Sequence, residues 1–165
     1  MRAPLLLTIT FCVGCAVDPN APGAVAQDLF SNLDFNDFAC KVQRPLARRC
    51  SMLACHGVDG HAFRVYSPGK LRLDPNAMQT LQDRDGPITG AEIHANFSSA
   101  RGLVWGAASV DDVPLVHKTI PAAFGGGEHV GGVVFRSPVD PDLTAIRNWL
   151  SGEKSDPCPL SQLPM

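Results

Sequence analysis

Charge, aromatic side chains and long apolar runs are all scarce in this sequence, and each shortage excludes a class of protein. Only 18% of the 165 residues are charged and the formal net charge is −2, so no basic surface is available for nucleic-acid phosphates. One Tyr and two Trp leave few platforms on which bases could stack. No apolar run after residue 17 approaches the roughly 20 residues that span a bilayer. We therefore expect no nucleic-acid partner and exclude a polytopic membrane protein.

Motifs of common hydrolases are missing as well. The sequence contains no GxSxG and no HExxH, and its acidic residues are scattered without a paired-carboxylate pattern. The 45% hydrophobic content is that of one globular domain. We expect a protein that is not an enzyme.

The N-terminus has the pattern of an export signal. One basic residue precedes an apolar stretch, which is typical of a secretory signal. The sequence CVGC at 12–15 resembles a bacterial lipobox, in which the last cysteine is lipidated. We predict a lipoprotein-type signal peptide at 1–14, lipidation of Cys15 and a flexible tether at 15–35; an ordinary signal cleaved nearby is the alternative. Because Ala16 follows the cysteine, we expect the periplasmic face of the outer membrane or the cell surface.

The rest of the chain predicts one domain at 36–155 and a tail at 156–165. Phe38, Val42 and Leu46 define one face of a helix that Pro45 should kink, and alternation around a Ser-Pro-Gly turn predicts a β-hairpin at 63–73. Further helices are expected from residue 75 to about 82, after a capping box at 89–92, and from 141 to 150 after an Asp-Pro start. Residues 101–139 have no periodicity and predict a long Gly-rich loop.

One short segment carries the chemistry. Cys50 and Cys55 are followed directly by His56, the arrangement in which two thiols attach a c-type haem and the adjacent imidazole ligates its iron. Four residues separate the cysteines, where two are usual, and the longer form also occurs in some c-type cytochromes. A Cys50–Cys55 disulfide and a zinc site are the alternatives on residues alone.

The other cysteines of the exported chain form a candidate pair. Export favours disulfides, so we predict a bond between Cys40 and Cys158, with two buried free thiols as the alternative. In the chain-entropy model a loop of this length contributes about 4–5 kcal/mol.

The sequence resembles a cytochrome c-like domain of exported bacterial proteins. The resemblance rests on VQRPLARRC at 42–50, CHG at 55–57, FRVY at 63–66, LRL at 71–73, GGGEHVGGVVF at 125–135 and the segment 140–150. It implies an all-α, cytochrome c-like helical domain, here with the small hairpin insertion and the Gly-rich loop. It also implies that the first helix packs on the stripe Leu143, Ile146, Trp149 and Leu150, beside one covalently bound haem c.

No motif in the sequence identifies the second axial ligand of the iron as the CH pair at 55–56 identifies the first. Related domains place a methionine in a late Met-Pro-Pro segment, and this chain has none. His129 lies in the late loop between glycines that would let the backbone approach a flat ring, so we predict bis-His coordination by His56 and His129. Met78, His117, His94, His61 and an open site are the alternatives. Arg64 and Arg72 are candidate contacts to the haem propionates, or an exposed cationic face.

These expectations predict a single-haem electron carrier outside the cytoplasm. Two occupied axial positions favour electron transfer, and histidine in place of methionine lowers the potential. Its partner would be a redox protein or another cytochrome, and it would touch the membrane through its N-terminal lipid alone. The alternative is a binding or scaffold module of a cell-envelope complex, either haem-bearing or haem-free and stapled by disulfides.

Overall fold

The computed structural model describes residues 30–154, and within this range every regular element is helical. The α-helices are α1 (Phe35–Asp37), α2 (Gln43–Arg49), α3 (Leu81–Asp85), α4 (Gly90–Gly102), α5 (Pro114–His117) and α6 (Pro141–Leu150). A π-helical turn (Phe38–Val42) joins α1 to α2, and three 3₁₀ turns lie at Pro75–Met78, Val110–Asp112 and Ala122–Phe124. The all-α expectation is confirmed for this part of the chain.

The elements α1, the π-helical turn and α2 form one continuous helix over residues 35–49, called the first helix below, which is widened in its middle. The backbone N–H of Gln43 bonds to the carbonyl of Phe38, five residues back, which is the pattern of a π-turn. Pro45 follows two residues later, where it has no N–H to give to the helix and its ring crowds the preceding turn. The expected disturbance by proline therefore takes the form of a π-bulge, and the helix continues to the residue before Cys50.

Local capping signals place the two best-defined helices. Thr89 and Glu92 form a reciprocal capping box at the start of α4, and Asp140 caps α6 with Pro141 in its first turn. The expected helix from residue 75 begins correctly, with Asp74 accepting from the N–H of Asn76, but it divides into a 3₁₀ turn and α3. Both predicted starts of the long helices are confirmed.

The core forms where the first helix crosses the last. Phe38, Val42 and Leu46 are fully buried, and the π-turn packs on α6. The rings of Phe38 and Trp149 lie 5.2 Å apart, and the Trp149 indole donates to the carbonyl of Asp34 at 3.0 Å. The predicted packing of these two faces is confirmed.

Ion pairs join the same two elements next to Cys50. Arg48 and Arg49, the last residues of α2, bind the carboxylate of Asp142 in the first turn of α6 at 2.5 and 2.9 Å. Arg49 also reaches Asp140 at 3.3 Å. No local sequence pattern indicates these contacts, because the partners are more than 90 residues apart.

The expected β-hairpin at 63–73 is a turn without strands. Two backbone bonds close the turn, from the N–H of Ser67 to the carbonyl of Leu71 at 3.0 Å and from the N–H of Lys70 to the carbonyl of Ser67 at 3.1 Å. The other N–H groups bond elsewhere: that of Val65 to the His56 carbonyl, and that of Tyr66 to the side chain of Asn96. The alternation of apolar and polar residues at 63–73 therefore reflects a segment with one buried side and not a pair of strands.

The predicted loop at 101–139 contains short helices. The 3₁₀ turns at Val110–Asp112 and Ala122–Phe124 flank α5, and buried Leu115 and Val116 tie this region to the core. The loop therefore has an anchored centre, from which residues 128–133 project.

Candidate haem-attachment site

The segment from Cys50 to Gly57 folds into one tight loop. Cys50 ends α2 by donating its N–H to the Leu46 carbonyl at 2.8 Å. The N–H of His56 bonds back to the Cys50 carbonyl at 3.2 Å, and that of Cys55 bonds to Met52 at 2.8 Å. The four residues between the cysteines are thus taken up by a turn, and the side chains of Met52 and Leu53 at its tip are about half exposed.

Gly57 is required by this loop. A Cβ atom at this position would lie 2.0 Å from the carbonyl oxygen of Ser51, closer than any real contact. Lys70 supports the other side of the loop by donating to the hydroxyl of Ser51 at 2.9 Å and to the Ala47 carbonyl at 3.2 Å. The loop is therefore fixed by backbone packing on one side and by a lysine on the other.

His56 is oriented by a backbone carbonyl. Its Nδ1 lies 2.9 Å from the oxygen of Phe63, and since a carbonyl only accepts, Nδ1 carries the hydrogen. Nε2 then keeps its lone pair, which is the form of histidine that ligates metals. Burial lowers the pKa of His56, and the neighbouring His129 and His61 lower it further, against the Phe63 hydrogen bond. The imidazole is therefore neutral at pH 7.

His129 lies beside His56 and makes the same kind of hydrogen bond. Its Nδ1 lies 2.9 Å from the Gly132 carbonyl, which leaves Nε2 as the available nitrogen here too. The two ring centroids are 6.0 Å apart and the ring planes differ by 19°.

The centroid separation can be compared with that of two imidazoles bound to one metal ion. Metal–nitrogen bonds are about 2 Å long, and a ring nitrogen lies about 1.2 Å from the ring centroid for bonds of about 1.35 Å. Imidazoles on opposite sides of one ion would have centroids about 6.3 Å apart by this geometry.

Both cysteines and both histidines line one cavity of about 330 Å³, within the size range of cofactor sites. Most of its wall is apolar. The remaining lining residues are Arg49, Phe63, Leu103, Pro114, Leu115, Lys118, Thr119, Gly131 and Val134.

The two thiols in this cavity are free, so the alternative Cys50–Cys55 disulfide is not formed. Burial raises the pKa of Cys50 to about 12, with the nearby Cys55 adding to the effect. Since the thiolate is the reactive species in disulfide exchange, Cys50 is protected from oxidation. Both cysteines line the same apolar cavity.

The other predicted axial ligands lie elsewhere. His94 is exposed and stacks on Phe35 at 3.8 Å, His117 packs against Gly127, and Met78 is on an exposed 3₁₀ turn. His61 has its ring 6.0 Å from that of His56 at 83°, but it is exposed and is not part of the cavity wall.

The predicted propionate contacts differ from the structure. Arg72 is buried, and its guanidinium binds Glu92 at 2.7 Å together with four backbone carbonyls, so no N–H is left for a cofactor. Arg64 is paired with Asp59 at 2.5 Å and is absent from the cavity wall. The cationic side chains on that wall are Arg49 and Lys118, which the sequence did not mark.

The glycines around His129 also have different roles from those expected. Gly126 and Gly127 allow close approach to the Ile120 carbonyl and the His117 ring, not to the cavity. Gly131 lines the cavity, and a Cβ there would lie 3.0 Å from the ring of His129. The run at 125–127 therefore packs the loop, whereas 131–132 shape the site.

Several predictions fall on residues outside 30–154. Lipidation of Cys15 and the signal peptide lie outside the described residues, as does Cys158, the expected partner of Cys40. Within residues 30–154, no group of three or more His, Cys, Asp or Glu side chains is placed to hold a metal ion, and no helix there is long and apolar enough to cross a membrane.

No family model, no curated protein and no solved structure matches the chain.

Proposed function

We propose that this chain is a c-type cytochrome that binds one haem through thioether bonds to Cys50 and Cys55. His56 and His129 would be the axial ligands. One observation carries the proposal: two free thiols and two imidazoles, each imidazole held through its Nδ1, line one apolar cavity.

Each part of the cavity meets a demand of such a cofactor. The tight loop places the Cys55 thiol and the adjacent imidazole on the same wall, and the apolar lining excludes water from the ring. Arg49 and Lys118 supply positive charge for the cofactor's carboxylates. Arg49 is held there by Asp142 and lies 5.8 Å from the centre of the Phe135 ring, so we assign it the propionate role that sequence analysis gave to Arg64 and Arg72.

Electron transfer is the activity that this ligand set favours. The bound haem would supply a reversible one-electron couple, and histidine in both axial positions keeps its potential below that of a methionine-ligated site. The protein's part is to orient both imidazoles, which the Phe63 and Gly132 carbonyls do by accepting from Nδ1 of each ring. The partner would be a redox protein or another cytochrome outside the cytoplasm, with a lipid on Cys15 holding the domain at the membrane.

The test uses the full chain, exported in a host that matures c-type cytochromes. Haem should remain on the polypeptide in a denaturing gel, and the double variant Cys50→Ala/Cys55→Ala should carry none. His129→Ala should keep covalent haem but lose the low-spin spectrum of a six-coordinate site, whereas the matched variant His94→Ala should change neither.

Two results would refute the proposal. A well-folded, exported protein without covalent haem contradicts the attachment reading. A spectrum that is the same in His129→Ala and in the wild type contradicts the axial assignment while leaving attachment intact.

A further inference from the structure

His129 is carried by a strap, residues 128–133, that is attached to the domain at its two ends. Before the strap, the N–H of Gly127 bonds to the His117 carbonyl at 2.7 Å. After it, the N–H groups of Val134 and Phe135 both bond to the Thr119 carbonyl at 3.0 and 2.9 Å. The two anchor carbonyls are two residues apart in sequence, so the strap leaves and rejoins the domain at nearly the same place.

Between these anchors the strap bonds to itself. Among residues 30–154, its hydrogen bonds are those of one turn, from the N–H of Gly132 to the His129 carbonyl at 2.8 Å and from Nδ1 of His129 to the Gly132 carbonyl. Val130 is fully exposed and Val133 is half exposed. A segment with few buried contacts and local hydrogen bonds has a low free energy of opening.

Two cavities border the strap. One is the cavity of about 330 Å³ with the thiols and His56, and the other is a hollow of about 580 Å³. His129 and Lys118 line both. Much of the strap therefore borders open space and not packed core.

We propose that the strap is a gate, and that its opening withdraws the Nε2 atom of His129 and exposes an axial position to a small anionic or neutral ligand from solution. This inference rests on the proposed haem site and adds a binding activity to it. The closed strap gives the electron-transfer form, and the open strap gives a site for a ligand of the size of cyanide.

Cyanide added to the oxidised, haem-loaded protein is the test. Binding should occur, and its observed rate should level off with increasing cyanide, because strap opening then limits it. In His129→Ala the rate should instead rise linearly and exceed that of the wild type.

Gly132→Ala should raise the limiting rate. Gly132 has φ +76°, a left-handed conformation that costs an L-residue the equivalent of about 5–30-fold in an equilibrium, so the closed turn is weakened. The matched control is Gly106→Ala, at φ +77° outside the strap, which should leave the limiting rate unchanged. Hydrogen exchange on the same haem-loaded protein should be much faster at residues 128–133 than at Val134 and Phe135.

Three outcomes overturn the gate alone: no cyanide binding to the wild type when His129→Ala binds it, a wild-type rate equal to that of His129→Ala, or a limiting rate that Gly132→Ala does not change. A protein without covalent haem overturns the proposed function and the gate together, and staining of the polypeptide for haem separates the two cases.

Discussion

Replacing Asp142 with Asn tests the link between the attachment loop and the last helix. The Asp142 side chain is 10% exposed and binds Arg48 and Arg49, whose side chains are 66% and 36% exposed. Buried hydrogen bonds to charged groups contribute about 1.5–3 kcal/mol, whereas exposed ion pairs contribute about 0.2–1 kcal/mol. Because the arginines are partly screened by water, we expect Asp142→Asn to lower the free energy of unfolding by about 1–2 kcal/mol at pH 7.

The effect should depend on pH with a defined sign. Burial acts to raise the pKa of Asp142, but the hydrogen bonds and charges of Arg48 and Arg49 outweigh it and lower the pKa. The contribution is therefore complete above the ordinary Asp pKa of about 3.9 and is lost as the pH falls through the lower folded-state value.

Urea unfolding of the full chain at pH 7 and at about pH 2.5 measures the difference between the two proteins. The matched control is Asp111→Asn, whose carboxylate is 71% exposed beside Arg147 and which should change stability by less than about 0.5 kcal/mol. A difference for Asp142→Asn below that level at pH 7, or one that is as large at pH 2.5 as at pH 7, refutes the reasoning.

Two further predictions concern the attachment loop. In protein produced without haem maturation, iodoacetamide at pH 8 should label Cys55 and spare Cys50, whose pKa of about 12 leaves a thiolate fraction on the order of 10⁻⁴; equal labelling in the folded state contradicts this burial. Gly57→Ala should destabilise the protein by about 1–3 kcal/mol and reduce haem attachment, because its Cβ would overlap the Ser51 carbonyl. Gly90→Ala, with nothing within 4 Å of its Cβ, is the control for urea unfolding and haem staining.

Features encoded by near neighbours were predictable from the sequence. The capping box of Thr89 and Glu92 and the Asp140–Pro141 start are local signals, and the structure has both. The helical spacing of Phe38, Val42 and Leu46 predicts one apolar face, and all three side chains are buried in the structure.

Features that depend on distant partners were not predictable. The alternation of apolar and polar residues at 63–73 is also the pattern of a β-hairpin. The hydrogen-bond partners that prevent strand pairing come from elsewhere in the chain, such as the Asn96 side chain of α4, which accepts from the N–H of Tyr66. Arg72 was predicted to contact the propionates because nothing near it in sequence shows that its guanidinium is paired with Glu92, 20 residues away.

The candidate site shows the same division. The attachment motif marked Cys50, Cys55 and His56, since these residues are adjacent in sequence. Lys118 is placed on the cavity wall by the folding of a loop without periodicity, and no local pattern pointed to it.

The most direct test of the central claim is mass spectrometry of a tryptic digest of the exported, matured protein. Cleavage after Arg49 and Arg64 releases residues 50–64, which contain both thiols and His56. We expect this peptide to carry the mass of one haem, bound through both cysteines. Recovery of the same peptide with two unmodified thiols, or with an internal disulfide, from protein matured in a competent host would contradict it.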